Sequence, residues 1–258
     1  MTRLQAFLIH LLISAATVGI VFAVAYLVWY PAPYFEVTGT WYLLRILLVV
    51  NIVVGPILTL IIFKPGKLGL RFDLYAIALV QVAALIYGTS IIYQDRPSFM
   101  VYAIDRFELV PWKDIDATMF QYDELKNRPS IGVVPIFAAL PEDPQELSDL
   151  TVGVIYEGES DLERRPEFWH PYDDRASEVT ALAKDIQELL TEDEKVAAVA
   201  EQVIERHERD HANLGVVPLI GRTSSFAVVL DLESGEQLEI VDIDLYQLAI
   251  DKQAQSNP

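Results

Sequence analysis

Cysteine is absent from the 258 residues of this chain. Its absence excludes disulfide bonds, thiol nucleophiles and cysteine-ligated metal centres. A domain of ordinary size does not need disulfide bonds in order to fold. Basic residues are scarce too. The chain has 19 lysine and arginine residues and 37 aspartate and glutamate residues, which gives a net charge of −18. A surface this acidic argues against binding to nucleic acid and against adhesion to anionic lipid headgroups.

Charge of either sign is rarest in the first 93 residues, which contain three long apolar runs at about 7–29, 43–63 and 74–93. Each run is long enough to cross about 30 Å of hydrocarbon as a helix. The middle of each run has no acidic or basic side chain to carry protons or ions, which disfavours a transporter or sensor subunit. We therefore predict a transmembrane region over residues 1–94 and a soluble acidic domain over residues 95–258.

The turn between the second and third runs carries Lys64, Lys67 and Arg71. Cationic segments resist translocation, so we expect this turn and the amino terminus to lie in the cytoplasm and the domain 95–258 to lie outside. The alternative is a signal peptide cleaved after Ala25, but the first apolar run is long for that and has no polar segment before the cleavage point. Asp73 is the expected N-cap of the third helix.

Small and aromatic residues predict how the three helices pack. Small residues at spacing four allow helices to approach closely, and we expect those of the first and third helices to hold the bundle together: Ala15, Gly19, Ala23, Ala84 and Gly88. Five aromatic residues near the ends of the first two runs are expected to form an interfacial belt: Trp29, Tyr30, Tyr34, Trp41 and Tyr42.

Gln81 is a polar residue that lies deep in the third run. Pro56, at a similar depth in the second run, has no N–H and leaves the carbonyl of Ile52 without its usual donor. We expect Gln81 to donate to that carbonyl, which would make Gln81 structural and not part of a transport site.

The acidic domain is predicted to be α+β with antiparallel strands, because β-like runs are followed by helices and then by further strands. Helical patterning covers 177–211, in two pieces divided near Thr191, the expected N-cap of the second piece. Strands are predicted at 98–104, 107–110, 131–139, 151–156, 216–220, 225–230 and 237–241.

The sharpest local motif is His207-Glu208-Arg209-Asp210-His211, which matches H-E-x-x-H. His207 and His211 would share one helix face and bind a zinc ion, while Glu208 would act on the bound water, as in a membrane-anchored zinc metallopeptidase. A third ligand would come from three available residues, His170, Glu233 and Glu236. The charged positions inside the motif favour instead two exposed histidines at a helix end. We therefore predict no catalytic residue, no metal and no cofactor.

The segment Phe168-Trp169-His170-Pro171-Tyr172 allows two interpretations. Exposed aromatic side chains are good anchors in protein interfaces, so it is a candidate recognition loop. Alternatively, its aromatic residues fold back onto the core of the domain.

Several segments are specific enough to compare with a known family: RLQAFLIHL at 3–11, VWYPAPYF at 28–35, GPILTLIIFKPGK at 55–67 and, more loosely, WHPY at 169–172. In these the chain resembles the type IV pilin accessory proteins of the TfpX/TfpZ kind from Gram-negative bacteria. The resemblance implies a non-enzymatic inner-membrane protein with a periplasmic domain that assists pilus biogenesis. It also implies that the partners are the type IV pilin or pilus assembly proteins and the lipid bilayer.

Overall fold

The computed structural model describes residues 1–207, 213–222 and 224–256, with side chains up to residue 252. The chain divides into two compact units, Met1–Arg96 and Pro97–Pro258. The first unit is helical, and the second is built on a mixed β-sheet. The chain therefore combines three apolar helices with an α+β domain, as the fold-class prediction states, apart from the strand directions described below.

The helical unit contains three helices long and apolar enough to cross a membrane: a first span at Arg3–Trp29, a second at Thr40–Ile62 and a third at Leu70–Gln94. A short helix, Tyr34–Val37, lies between the first two. The first span begins with a capping box, because the Thr2 side chain accepts from Gln5 N–H while the Gln5 side chain accepts from Thr2 N–H.

The third span begins after Gly69, whose φ of +83° is in the left-handed region that glycine tolerates. The expectation that Asp73 is its N-cap is therefore wrong. Asp73 lies in the first helical turn, where its carboxylate is 2.6 Å from the Lys67 ammonium. A carboxylate here also complements the positive end of the helix dipole.

Tyr30 belongs to the packed interior of the bundle and not to an exposed aromatic belt. It is 1% exposed, and its hydroxyl donates to the carbonyl of Ile92 at 2.7 Å. Trp29 next to it contacts Tyr93 edge-to-face, with 5.2 Å between ring centroids. These contacts join the end of the first span to the end of the third.

A small residue of the third span packs against a neighbouring helix, whereas those of the first span do not. Gly88 lies against the second span, since a Cβ there would be 2.7 Å from Leu47 Cδ1. Gly19 has no atom within 4 Å of such a Cβ, and Ala15 and Ala23 are also exposed. The prediction that the small residues of the first span hold the bundle together is therefore wrong.

The second span changes its hydrogen-bond spacing in the middle. Residues Val49–Val54 form a π-helical turn, and Gly55 N–H donates to Val50 O, five residues earlier. With this spacing the next carbonyl, that of Asn51, would accept from residue 56. Pro56 has no N–H, so the carbonyl of Asn51 is left without a backbone donor.

Gln81 supplies the missing donor, with its Nε2 at 3.1 Å from Asn51 O. The predicted role of Gln81 is thus found on the neighbouring carbonyl, and the expected contact with Ile52 is wrong by one residue because of the π-helical spacing. The amide lies directly on Gly55, where a Cβ would come to 1.8 Å from Nε2. Only glycine fits at that position with Gln81 in place.

The acidic domain contains a mixed sheet. Its strands are β1 Pro97–Ala103, β2 Arg106–Pro111, β3 Val134–Ala138, β4 Trp169–Pro171, β5 Lys184–Asp185, β6 Leu214–Ile220, β7 Ser225–Asp231 and β8 Gln237–Val241. They lie in the order β4-β3-β1-β2-β6-β7-β8, with β5 paired to β6. β1 and β3 are parallel, as are β2 and β6, whereas the other pairs are antiparallel. The prediction of antiparallel pairing throughout is therefore wrong at two places.

Two predictions about the segments between the strands also need correction. Residues 151–156, predicted as a strand, lie in the helix Pro144–Val152 and the π-helical turn Gly153–Glu157 that continues it. The N-cap before the helix Glu194–His207 is Asp193, not Thr191, because Asp193 Oδ1 accepts from Lys195 N–H at 2.9 Å. Two further α-helices are Ala176–Leu182 and Leu245–Ser256, and a 3-10 helix covers Ile186–Thr191.

Two apolar clusters form the interior of the domain. The first surrounds β1 and β3 and includes Phe99, Phe120, Ile136 and Trp169. The second surrounds β6, β7 and β8 and includes residues of the helix Glu194–His207, such as Ala200 and Val203. Both clusters are formed by apolar side chains removed from water, the main favourable term in folding.

Candidate functional site

His207 is the one histidine of the H-E-x-x-H motif that the structure describes, because Glu208 and His211 lie outside the described residues. It ends the helix Glu194–His207, and its Nε2 is 3.0 Å from Glu239 Oε1. Arg206 contacts the other oxygen of the same carboxylate at 3.1 Å. The described part of the chain contains no group of three histidine or acidic residues placed to hold a metal ion.

The three residues named as possible third ligands lie in other surroundings. His170 Nδ1 is 2.8 Å from the Tyr122 hydroxyl, and burial and the charge on Arg175 lower the pKa of His170. Glu233 and Glu236 lie in the turn between β7 and β8. The alternative of a zinc metallopeptidase therefore has no support from the described residues.

The aromatic segment 168–172 packs mostly into the domain. Trp169 is fully buried, and its ring centroid lies 5.0 Å from that of Phe99. Tyr172 is 4% exposed and donates its hydroxyl to Gly235 O at 2.9 Å. Of the two interpretations of this segment, the structure thus supports packing onto the core.

A hollow of about 540 Å³ in the acidic domain lies beside this segment. Phe137, Ala138 and Tyr102 line it as buried side chains of the sheet. Leu140 and Leu182 also line it and are exposed, at 46% and 68%. The hollow therefore offers apolar surface to a ligand or partner.

A second hollow of about 440 Å³ shares Glu146, Glu167 and Phe168 with the first. We call the two together the acidic groove. Its charged side chains are seven carboxylates and two guanidiniums: Glu142, Glu146, Asp149, Glu157, Glu159, Glu167 and Glu178, with Arg165 and Arg175. The groove would attract a cationic segment and repel an anionic one.

Ion pairs within the groove involve some of these carboxylates and leave others free. Arg165 contacts Glu159 at 3.1 Å and Glu167 at 2.9 Å. Arg175 pairs with Glu178 and lies over the ring of Phe137. Four carboxylates have no ion pair with any described residue: Glu142, Glu146, Asp149 and Glu157. No sequence pattern indicates the groove, because its lining comes from separate segments between residues 102 and 182.

A buried carboxylate lies elsewhere in the domain, at Glu163. It is 1% exposed, its Oε1 accepts from Arg106 at 2.9 Å, and its Oε2 is buried with no hydrogen-bond partner among the described residues. Burial raises the pKa of Glu163, although the charge on Arg106 acts in the opposite direction.

These features define a membrane protein with three apolar spans and an acidic α+β domain. The family model described as fimbrial assembly protein FimB matches residues 1–39. No solved structure matches the chain.

Curated relatives extend this similarity over more than nine-tenths of the chain. The fimbrial assembly protein of serogroup I from Dichelobacter nodosus is 26% identical over 253 residues, 93% of this chain and 95% of that protein. The serogroup E1 protein of the same organism is 24% identical over 94% of each chain. The protein of serogroups C1 and C2 is 31% identical over 109 residues, 42% of this chain and 83% of that protein. The chain belongs to the family of these fimbrial assembly proteins.

Proposed function

We propose that the protein is a non-catalytic accessory protein of type IV pilus biogenesis, of the TfpX/TfpZ kind, that binds the pilin during assembly. The observation that carries the proposal is the similarity to a fimbrial assembly protein over 93% of the chain, which includes both the spans and the acidic domain. An assembly role of this kind requires binding surfaces and no chemical step.

The test is affinity purification of the intact protein from its own membranes, with zinc measured on the same sample. A pilin recovered in an amount close to that of the protein, without zinc, is the expected result. Stoichiometric zinc and no pilin would overturn the proposal, because that result would assign function to His207, Glu208 and His211.

We place the protein in the inner membrane, with the amino terminus in the cytoplasm and residues 95–258 in the periplasm. The basic residues Lys64, Lys67 and Arg71 between the second and third spans support this orientation. Since the chain has no cysteine, single cysteines report topology directly. In intact spheroplasts, an impermeant maleimide should label a Ser177→Cys variant and not a Gly66→Cys variant. Labelling of the second variant alone would reverse the orientation.

We further propose that the acidic groove binds a cationic segment of the soluble part of the pilin. The free carboxylates Glu142 and Glu146 and the exposed Leu140 and Leu182 support this, because charge and apolar area are presented together. The Glu142→Lys/Glu146→Lys variant should lower pilin co-purification about tenfold. The matched control reverses two exposed acids of another helix, Glu201 and Glu205, and should retain binding. Equal losses in both variants would mean that only net charge matters.

A further inference from the structure

The turn between β1 and β2 holds one residue in an unfavourable backbone conformation. Ile104 has a φ of +60°, and within the part of the chain that the structure describes no other residue except glycine lies in the left-handed region. Ala103 and Arg106 pair across the two strands, so Ile104 and Asp105 form a two-residue loop. Such loops favour glycine or asparagine where φ is positive, because a β-branched side chain crowds the backbone there. Folding alone therefore does not account for isoleucine at this position.

Neighbouring groups hold the turn in this conformation. The Tyr102 hydroxyl donates to Ile104 O at 3.2 Å. Arg106, directly after the loop, contacts Asp105 at 3.2 Å and the buried carboxylate of Glu163 at 2.9 Å. Backbone strain persists only where surrounding contacts over-determine it, and it is concentrated at binding and active sites. The turn is therefore a rigid element that presents Ile104 in one direction.

The Ile104 side chain is 53% exposed, so burial in the core does not explain it either. It lines the hollow of about 540 Å³ together with the exposed Leu140 and Leu182. Tyr102 and Phe137 line the same hollow, and their rings stack with 5.7 Å between centroids. Three large aliphatic side chains from separate segments thus meet around one apolar hollow, where a partner could bury them.

Carboxylates accompany these aliphatic side chains. Glu142 follows Leu140 by two residues, Glu178 lies one helical turn before Leu182, and both carboxylates line the hollow. Glu178 pairs with Arg175, whereas Glu142 has no ion pair with a described residue. This surface is complementary to an apolar side chain with a basic residue beside it. It disfavours a second copy of this chain, whose net charge of −18 would be repelled.

We propose that the strained turn presents Ile104 to an apolar side chain of the pilin segment that the acidic groove binds, and that this side chain enters the hollow beside a basic residue of the same segment. The inference rests on the proposed function and names the contact that selects the partner. Charge attracts cationic segments in general, whereas an apolar contact at a fixed place distinguishes one such segment from another.

The first test compares Ile104 with Ile131, an exposed isoleucine that does not line the hollow. Asparagine tolerates the left-handed region, so Ile104→Asn should raise the unfolding temperature of the domain by about 2–4 °C in detergent. The same variant should lose about tenfold of the pilin co-purified from native membranes, as expected for an apolar anchor. Ile131→Asn should keep recovery within about twofold, as a substitution outside the contact does. A purely structural residue would instead change stability and recovery in the same direction.

A second pair of variants separates the apolar contact from the backbone conformation. Ile104→Val keeps a β-branched apolar side chain, and should keep both the stability and the pilin recovery of the unaltered protein. Ile104→Gly accepts the positive φ but has no side chain, and should lose recovery as the asparagine variant does. A photo-crosslinking residue at Leu182 should capture the pilin at an apolar residue next to a basic one. Capture of lipid or of a second copy of this chain would overturn the assignment of the occupant.

The outcomes distinguish this inference from the proposed function. If the unaltered protein recovers no pilin, the proposed function itself fails. If it recovers pilin, and Ile104→Asn binds as well as Ile131→Asn, the function stands and the inference is overturned. A loss of both stability and recovery in Ile104→Asn would also overturn it, because Ile104 would then serve the fold and not the contact.

Discussion

The two units of the chain place polar and apolar side chains in opposite ways. In residues 1–96 large apolar side chains such as Leu12 and Leu79 are exposed, while Asn51 and Gln81 are buried and hydrogen-bonded. In the acidic domain the apolar residues are inside, and most carboxylates lie at the surface. Lipid is as apolar as leucine, so the bundle depends on close packing and on a few hydrogen bonds, whereas the domain depends on burial of apolar area.

The largest expected effect is the loss of the buried indole in the domain. Trp169→Ala would open a cavity beside Phe99 and Phe120, and should lower the free energy of unfolding of the domain by about 3–5 kcal/mol. Hydrogen exchange of β1 and β3 amides in the intact, detergent-solubilised protein measures this. Trp41→Ala, at a side chain 47% exposed in the other unit, is the control and should leave those amides unchanged. Unchanged exchange in the Trp169 variant would contradict the described core.

The next effect tests whether the bundle depends on single hydrogen bonds. In Gly55→Ala, the new methyl group would displace the Gln81 amide. Because that amide ends a flexible side chain, the expected cost is the hydrogen bond to Asn51, about 1–2 kcal/mol in thermal or denaturant unfolding of the bundle.

A double-mutant cycle makes this test specific. Gln81→Ala should cost about as much as Gly55→Ala, and the double variant should cost little more than either alone, because both remove one interaction. Additive losses would show that Gly55 acts through something other than the space for Gln81.

A smaller effect, expected in the domain, depends on pH. The folded domain holds the proton of Glu163 more tightly than the unfolded chain, because burial raises the pKa of this carboxyl. Its contribution to stability is present below the ordinary glutamate pKa and is lost as the pH rises through the raised value. Glu163→Gln cannot titrate, so its stability relative to the unaltered protein should increase over that range and then level off. A pH-independent difference would contradict the raised pKa.

The sequence predicts the three apolar spans well, because the length of an apolar run is a direct measure of its ability to cross a membrane. The sequence also predicts that Gln81 lies close to Pro56, because the depth of each residue in the membrane can be counted from the end of its helix. The contact is one residue off because a π-helical turn leaves no mark in the spacing of apolar residues. In the same way, exposed and buried faces of the first span cannot be separated by hydrophobicity when all its faces are apolar.

The fold of the domain is harder to predict, because several of its strands pair with segments that are far away in the sequence. The strands β1 and β2 are neighbours in sequence and pair as a hairpin, whereas the parallel pairs β1–β3 and β2–β6 join segments separated by long connections. Residues 151–156 have strand-forming side chains but continue the helix Pro144–Val152, which shows tertiary context overriding local preference. The acidic groove depends on these same connections, so no single segment could have indicated it.

The smallest expected effect separates the two kinds of glycine in the spans. A Cβ methyl group at Gly19 would have no atom within 4 Å, so alanine there meets no neighbour in the bundle. Alanine is a better helix former than glycine by up to about 1 kcal/mol, and Gly19→Ala should therefore leave bundle unfolding unchanged or raise its temperature slightly. A clear loss of stability in the purified protein would mean that the first span packs through Ala15, Gly19 and Ala23 after all. Unchanged stability with weaker recovery of a partner from membranes would instead show that this exposed face is used for association with another chain.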